Sequence, residues 1–291
     1  MLKYIKVNKT DLFYEDKWNN SNLNEYYQYI LNKLIDFFYI NNIELSVNFG
    51  CDFLNKDIDI DFQYEHTIIK NNNDYSCRIF RFENLIKCDL VFDYSNANIA
   101  HIKNYPEYDE YINICRYYPP LLYDIMENND ANRIKNCLTI HNPSPRRNKI
   151  HEKIDMDYYN TLCGDNLYDK TIMKNVMDNY KLLINIHQTD IHYTLEELRV
   201  LPSLMSGMLI VSEDVPYKEH IPYSKHIIWS SYNDLNKTIN DVLHNYDLFK
   251  KQYLTDLSKT LFDMKLNSDD ILNNFFTKKL FGNSLINYDK N

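Results

Sequence analysis

Residues 181–220, KLLINIHQTDIHYTLEELRVLPSLMSGMLIVSEDVPYKEH, constrain the fold of this chain more than any other stretch. Residues 182–186 are an apolar run of strand length, the pattern of a strand buried on both faces of a parallel sheet. A polar loop, 187–193, follows. Thr194 then stands three residues before Glu197, a T-x-x-E capping box that opens a helix with Thr194 as its N-cap. Gly207, one of four glycines in the chain, suits a left-handed residue just past the helix end. Residues 208–211 form the next buried strand, which ends in Ser212 and Glu213. Pro202 falls inside the helix, where it removes one hydrogen bond and is expected to kink the axis.

In an open α/β sheet the ligand crevice lies outside the C-terminal ends of the strands. The loops 187–193 and 212–219 leave two such ends. A helix N-terminus at Thr194 offers unpaired N–H groups to a phosphate, and Arg199, one turn in, adds a bidentate cation. The same residues admit a plainer reading. Glu197 then only caps, and Glu196 with Arg199 is an exposed i, i+3 pair worth roughly 0.3 kcal/mol.

Composition removes whole classes of function. Four glycines leave no G-x-G-x-x-G, no P-loop and no G-x-S-x-G elbow, so a dinucleotide oxidoreductase, a P-loop ATPase and an α/β-hydrolase are excluded. Any phosphate must be held by helix N-termini and side chains. A net charge of −9 argues against nucleic acid as a partner, which requires a basic footprint. The 26 tyrosines reflect a skewed composition and carry no argument for carbohydrate stacking. Six cysteines without a C-x-x-C pair read as reduced, mostly buried thiols. With no signal-peptide pattern and no run long enough to span a bilayer, a cytoplasmic location is expected.

The N-terminal half alternates strands with helices. Residues 4–7 and 43–49 read as strands, and 23–40 as a helix with an apolar i, i+3, i+4, i+7 face. Asp57-Ile58-Asp59-Ile60-Asp61 alternates strictly, the pattern of a half-exposed strand. Three aspartates on one face also suit a metal-dependent nucleotidyl- or glycosyltransferase. Glu65 beside His66, at the end of that strand, is a constellation for a general base. Asp52 and Asp59 are further candidate bases. Residues 76–82 and 88–92 read as strands, 93–96 as a loop with an N-cap, and 117–120, with two prolines, as an extended turn.

A polar connection at 127–135 divides the chain, giving domains 1–130 and 131–291. Residues 137–140 restart an apolar strand. Arg146 and Arg147 follow at the start of a helix, with Pro145 in its first turn. Two arginines there oppose the helix dipole, and a bound diphosphate would offset them. Residues 157–164 read as a strand and turn, 170–180 as a helix, 226–230 as a strand and 232–245 as an amphipathic helix. Helices 247–264 and 268–281 end the chain. The last is capped by Ser268 and buries Ile271, Leu272, Phe275 and Leu280. His187 and His192 lack the cysteine or carboxylate partners of a zinc site.

The pattern N-I-H, polar loop, E-x-x-R, then L-x-x-G-x-x-x-V-S-E is carried by Asn185, Ile186, His187, Glu196, Arg199, Leu204, Gly207, Val211, Ser212 and Glu213. It resembles the nucleotide-binding half of GT-B glycosyltransferases, most of all short ones of bacterial surface-glycan clusters and large DNA viruses. The resemblance spans about forty residues. The E-x7-E of large retaining families is missing, since its two positions fall on Thr194 and Pro202, so retaining chemistry is not carried over. The resemblance implies an α/β architecture of two Rossmann-like domains facing a cleft, with the acceptor side in 1–130 and the donor side in 131–291. It implies transfer of a sugar from a UDP- or GDP-linked donor to a glycan or small-molecule acceptor, without a metal or other cofactor, in the cytoplasm (of the host, if viral). Arg146, Arg147, His187, Thr194, Glu196, Arg199 and Glu213 are then the donor-binding residues. Asp52, Asp59, Glu65 and His66 are the candidate catalytic ones. A nucleotide- or sugar-binding module without catalysis remains the alternative outside enzymes.

Overall fold

The computed structural model describes residues 5–6, 46–49, 59–63, 66–79, 82–124, 133–155, 157–159 and 170–281. The expected helix at 23–40, with Asp52, Asp57 and Glu65, lies outside them. The apolar runs become a mixed α/β fold with two five-stranded sheets and a hairpin. The strands are β1 (Ile5–Lys6), β2 (Ser46–Phe49), β3 (Ile60–Gln63), β4 (Ile68–Asn71), β5 (Asp74–Cys77), β6 (Leu90–Asp93), β7 (Cys115–Tyr117), β8 (Lys135–Ile140), β9 (Asp157–Tyr159), β10 (Tyr180–Asn185), β11 (Leu209–Glu213) and β12 (Ile227–Ser230). The first sheet has the order β1-β2-β3-β6-β7 and is parallel except for the edge strand β1. The second has the order β12-β11-β10-β8-β9 and is parallel throughout. β4 and β5 form the antiparallel hairpin.

The helices are α1 (Phe82–Leu85), α2 (Asn96–Ile102), α3 (Asp109–Ile114), α4 (Pro145–His151), α5 (Lys170–Met177), α6 (Glu197–Met205), α7 (Leu235–His244), α8 (Tyr246–Leu254) and α9 (Leu257–Phe281). The core of the second sheet is built from its two central strands. Leu182, Leu183 and Ile184 of β10, with Leu209, Ile210 and Val211 of β11, are all 0% exposed, as continuous apolar runs in a parallel sheet require. No helix among the described residues is long and apolar enough to cross a membrane. Cys77, Cys88, Cys115 and Cys137 are free thiols, and burial pushes each above the ordinary thiol pKa.

Five local expectations are corrected. Among the described residues the aspartate strand is not half-exposed from Ile60 onward. β3 lies between β2 and β6, and all four of its residues are buried, with Asp61 accepting from Gln63. The expected strand 76–82 is shorter and belongs to the hairpin. It ends at Cys77, and Phe82 already opens α1. The two final helices do not break near residue 266. The break falls at Asp256, whose φ of 60° puts it in the left-handed region. Ser268 therefore caps nothing. It sits inside α9 and donates to the Met264 carbonyl at 2.9 Å. Leu280, expected in the core, is 37% exposed. α9 returns to the first sheet, where Lys279 pairs with Asp59 at 2.7 Å and with Asp89.

The end of α6 follows the sequence closely. Ser206 is the C-cap and Gly207 adopts a φ of 83°. The Gly207 N–H donates to Leu204 at 2.9 Å and the Met208 N–H to Ser203 at 3.2 Å, the paired bonds of a Schellman motif. A Cβ at this position meets the left-handed penalty. Gly207→Ala is expected to destabilise the protein by about 1 kcal/mol, read as a lower melting temperature.

Candidate functional site

The second sheet changes direction between β8 and β10. β8 continues through α4 to β9 on one side, and β10 continues through α6 to β11 on the other. Chains that leave neighbouring strands toward opposite sides open a crevice at their C-terminal ends. Three guanidinium groups converge there. Arg199 of α6 donates to the Ile140 carbonyl at the end of β8. Arg147 of α4 donates to Ile186 at 2.8 Å and to Asn142 at 2.9 Å. Arg146 donates to the His187 carbonyl at 3.2 Å. The Ser144 hydroxyl caps α4 by accepting from the Arg147 N–H at 3.3 Å, and Pro145 stands at the helix start as expected.

Three carboxylates meet these three cations. Glu196 lies 3.0 Å from Arg199 and 3.4 Å from Arg147, and accepts from Asn185 at 2.9 Å. Glu213 takes two bonds from Arg146 and one from the His187 N–H at 3.1 Å. Asp190 accepts from the Arg146 Nε at 2.6 Å. Arg146 also lies 3.8 Å over the Tyr232 ring, and the Tyr232 hydroxyl donates to its backbone carbonyl at 2.7 Å. The dipole conflict at the start of α4 is thus offset by the protein's own carboxylates. Burial pushes the Glu196 carboxyl up, but Arg199, then His187 and His66, outweigh it and hold it well below the usual range. Asn185 also donates to the Ser212 hydroxyl at 3.0 Å, so the spaced residues of the 181–220 stretch form one network.

The hairpin β4–β5 reaches this crevice from the first sheet. The Lys70 N–H donates to the Ile191 carbonyl at 2.7 Å, and Ile69 bridges to His192. This places the His66 ring 5.5 Å from that of His192. Tyr193 lies between Tyr75 at 5.5 Å and His187 at 5.6 Å. His187 itself is buried, with Nδ1 3.7 Å from Glu196. Burial lowers the His66 pKa to about 4; Glu196 opposes the shift, while His192, Arg199 and His187 add to it.

Thr194 is not the N-cap. α6 starts at Glu197 with Glu196 in the cap position, and no side chain caps it. The Thr194 hydroxyl instead donates to Asn98 of α2 at 3.2 Å. Glu197 turns away from the crevice into a second buried cluster, where the Tyr117 hydroxyl donates to it at 3.1 Å. Beside it, Asp93 accepts from the Ser95 N–H at 2.9 Å and from Asn98 at 3.2 Å, with Ser95 capping α2 as expected. Asp59 precedes β3 and is held by Lys279, at the strand end opposite His66. The structure therefore gathers Arg146, Arg147, His187, Glu196, Arg199, Glu213 and His66 around one crevice, and leaves Asp59 away from it. Sequence reasoning misses Asp190 and Tyr232. Tyr232 is within its reach, because it lies just past the C-terminal end of a parallel strand.

Burial pushes Glu197 up to about 8, against the hydroxyls of Tyr223, Ser95 and Tyr117, and pushes Asp93 up to about 7. A carboxyl raised on folding keeps its proton in the native state while the unfolded chain has lost it. Stability then falls as pH rises from the unfolded pKa to the folded one. The buried histidines act in the opposite sense below about pH 6.5, leaving the acids to dominate at about pH 7–8. Glu197→Gln is expected to flatten the fall in melting temperature across that interval and to raise stability at its upper end. A wild-type melting temperature that climbs there would exclude the raised carboxyl.

No protein-family model and no curated protein sequence matches the chain. Among solved structures it is similar to TarM, with a TM-score of 0.54 and 13% identity over 83% of this chain and 57% of that one. A second similar structure is a point mutant of S. aureus TarM in complex with fondaparinux, alpha-GlcNAc-glycerol and UDP, with a TM-score of 0.50 and 12% identity over 75% of this chain and 50% of that one. The chain thus spans about half the length of these structures, and what it shares with them is the fold.

Proposed function

We propose that the chain is a glycosyltransferase of GT-B type that moves a sugar from a nucleoside-diphosphate donor to an acceptor hydroxyl. The observation that carries this is the convergence of three arginines at the switch point of a parallel sheet. Residues 131–291 take the donor and residues 1–130 face the acceptor across a cleft. Arg146 and Arg199 keep 13% and 18% of their side chains exposed, so they reach a ligand, whereas Arg147, at 3%, braces Glu196 from below. The two exposed guanidiniums hold the diphosphate and stabilise its charge as it leaves. Their positive charge takes the role of a divalent metal.

Glu213 and Glu196 accept hydrogen bonds from ribose or sugar hydroxyls, and the buried His187 orders the loop between them. His66 presents a neutral ring on the acceptor side. With a pKa near 4 it is a weak proton acceptor, suited to orienting the acceptor hydroxyl. The UDP in the TarM complex supports a UDP-linked donor, with a GDP-linked one as the other choice. Use of a nucleotide sugar favours a reaction in the cytoplasm. A metal site on the aspartate strand is disfavoured because Asp59 is engaged by Lys279 and Asp61 lies inside the sheet.

The test is thermal stabilisation by UDP, GDP, CMP and dTDP, with and without a chelator, since a ligand that binds the native state raises the melting temperature. A chelator-insensitive shift with one nucleoside diphosphate is expected. A shift that requires a divalent metal, or none at all, would overturn the reading. Arg199→Ala is expected to weaken that nucleotide by about tenfold or more, the worth of a charged hydrogen bond. Arg147→Ala should instead cost about 3 kcal/mol of stability, because it strips a buried carboxylate of a partner.

A further inference from the structure

We infer that Asp190 is a built-in counter-anion that occupies Arg146 until the donor diphosphate displaces it, and so sets the affinity for the donor. The inference rests on the donor site proposed above. Arg146 faces two carboxylates of different character. Glu213 is a fixed part of the crevice: it is 5% exposed and also holds the His187 N–H. Asp190 is 84% exposed and meets Arg146 through the Nε edge at 2.6 Å. The loop that carries it is fastened on both sides. His187 is tied to Glu213, and the Ile191 carbonyl accepts from Lys70 of the hairpin. Thr189 accepts from the Ile191 N–H at 3.3 Å and shares a hydrogen bond with His192 at 2.8 Å. The backbone around Asp190 is thus positioned, while its side chain projects into water over Arg146.

The charge balance gives this arrangement its consequence. Around Arg146 itself one guanidinium faces two carboxylates, a local −1 within a crevice whose three guanidiniums and three carboxylates otherwise balance. Glu213 cannot leave without abandoning a buried N–H. Asp190 can turn into solvent at little cost, since exposed ion pairs are weak. An incoming anion therefore exchanges with Asp190 on the Nε edge of Arg146. A weakly charged phosphate competes poorly with a tethered carboxylate, and a diphosphate competes well. Asp190 thereby keeps Arg146 aligned in the empty site and raises the threshold for adventitious anions.

The experiment is calorimetric titration of wild-type protein, Asp190→Asn and Arg146→Ala, each with pyrophosphate and with the nucleoside diphosphates. Asp190→Asn is expected to bind both more tightly, by about two- to fivefold at low salt, the gain shrinking as salt rises from about 0.05 M to about 0.5 M. The gain should vanish when Asp190→Asn is made in the Arg146→Ala background, because the effect passes through that guanidinium. Unchanged or weaker binding by Asp190→Asn would overturn the inference, and so would a gain that survives Arg146→Ala. Tighter pyrophosphate binding by Asp190→Asn with no nucleoside diphosphate bound would sink the glycosyltransferase reading and leave the counter-anion standing. No binding of either ligand to any of these proteins would sink both.

Discussion

Three guanidinium groups in the mouth of a parallel sheet repel one another, and much of the site follows from how that repulsion is offset. Arg146, Arg147 and Arg199 arrive from two helices that leave β8 and β10 toward opposite sides, so topology forces them together. Strand-end carbonyls satisfy part of their donor capacity. The remaining charge is met by Glu196, Glu213 and Asp190. Glu196 and Glu213 are buried, and in that reduced dielectric their pairs are stronger than on an open surface, whereas Asp190 stays in water. The cluster is therefore cooperative, and each residue in it positions the next.

The same cluster ties the two halves of the chain together. The loop after β10 is pinned to Glu213 on one side and to the β4–β5 hairpin on the other, so His66 and His192 share a wall with the arginines. Below that wall lies a second contact of opposite chemistry. There Thr194, Asn98, Asp93 and Glu197 form a buried network with little positive charge, and burial keeps both acids high. One carboxylate of the Glu196-Glu197 pair is held ionised by cations, while its neighbour in sequence is pushed toward the protonated form. Environment alone separates them.

How much of this is legible in the sequence depends on whether a residue's partner lies in a periodic pattern. The strands around 182–186 and 208–211 and the left-handed Gly207 follow from apolar runs and one glycine, because local sterics and burial determine them. The grouping of Asn185, Glu196, Arg199, Ser212 and Glu213 comes from the family resemblance, since spacing alone equally fits a capping residue and an exposed i, i+3 pair. The T-x-x-E box is misleading because a tertiary partner, Asn98, claims the Thr194 hydroxyl and moves the helix start. Strict alternation over residues 57–61 suggests a wet face, yet neighbours on both sides bury Ile60 and Asp61 alike. Asp190 carries no local signal, since only the fold reveals that a polar loop bends over Arg146.

Glycine scarcity links these observations. A phosphate loop made of backbone N–H groups requires glycines that let the chain approach closely, and this chain has four glycines in all. Gly207, the glycine nearest the crevice in sequence, is not used that way, because it serves the C-terminal end of α6. In the proposed donor site anion binding must then come from long cationic side chains, which are flexible and repel one another. Carboxylates hold them in register, and in the proposed donor site those carboxylates compete with the incoming anion. If the proposed donor site works by exchange of one anion for another, its affinity depends less on the number of arginines than on how readily the resident carboxylate lets go.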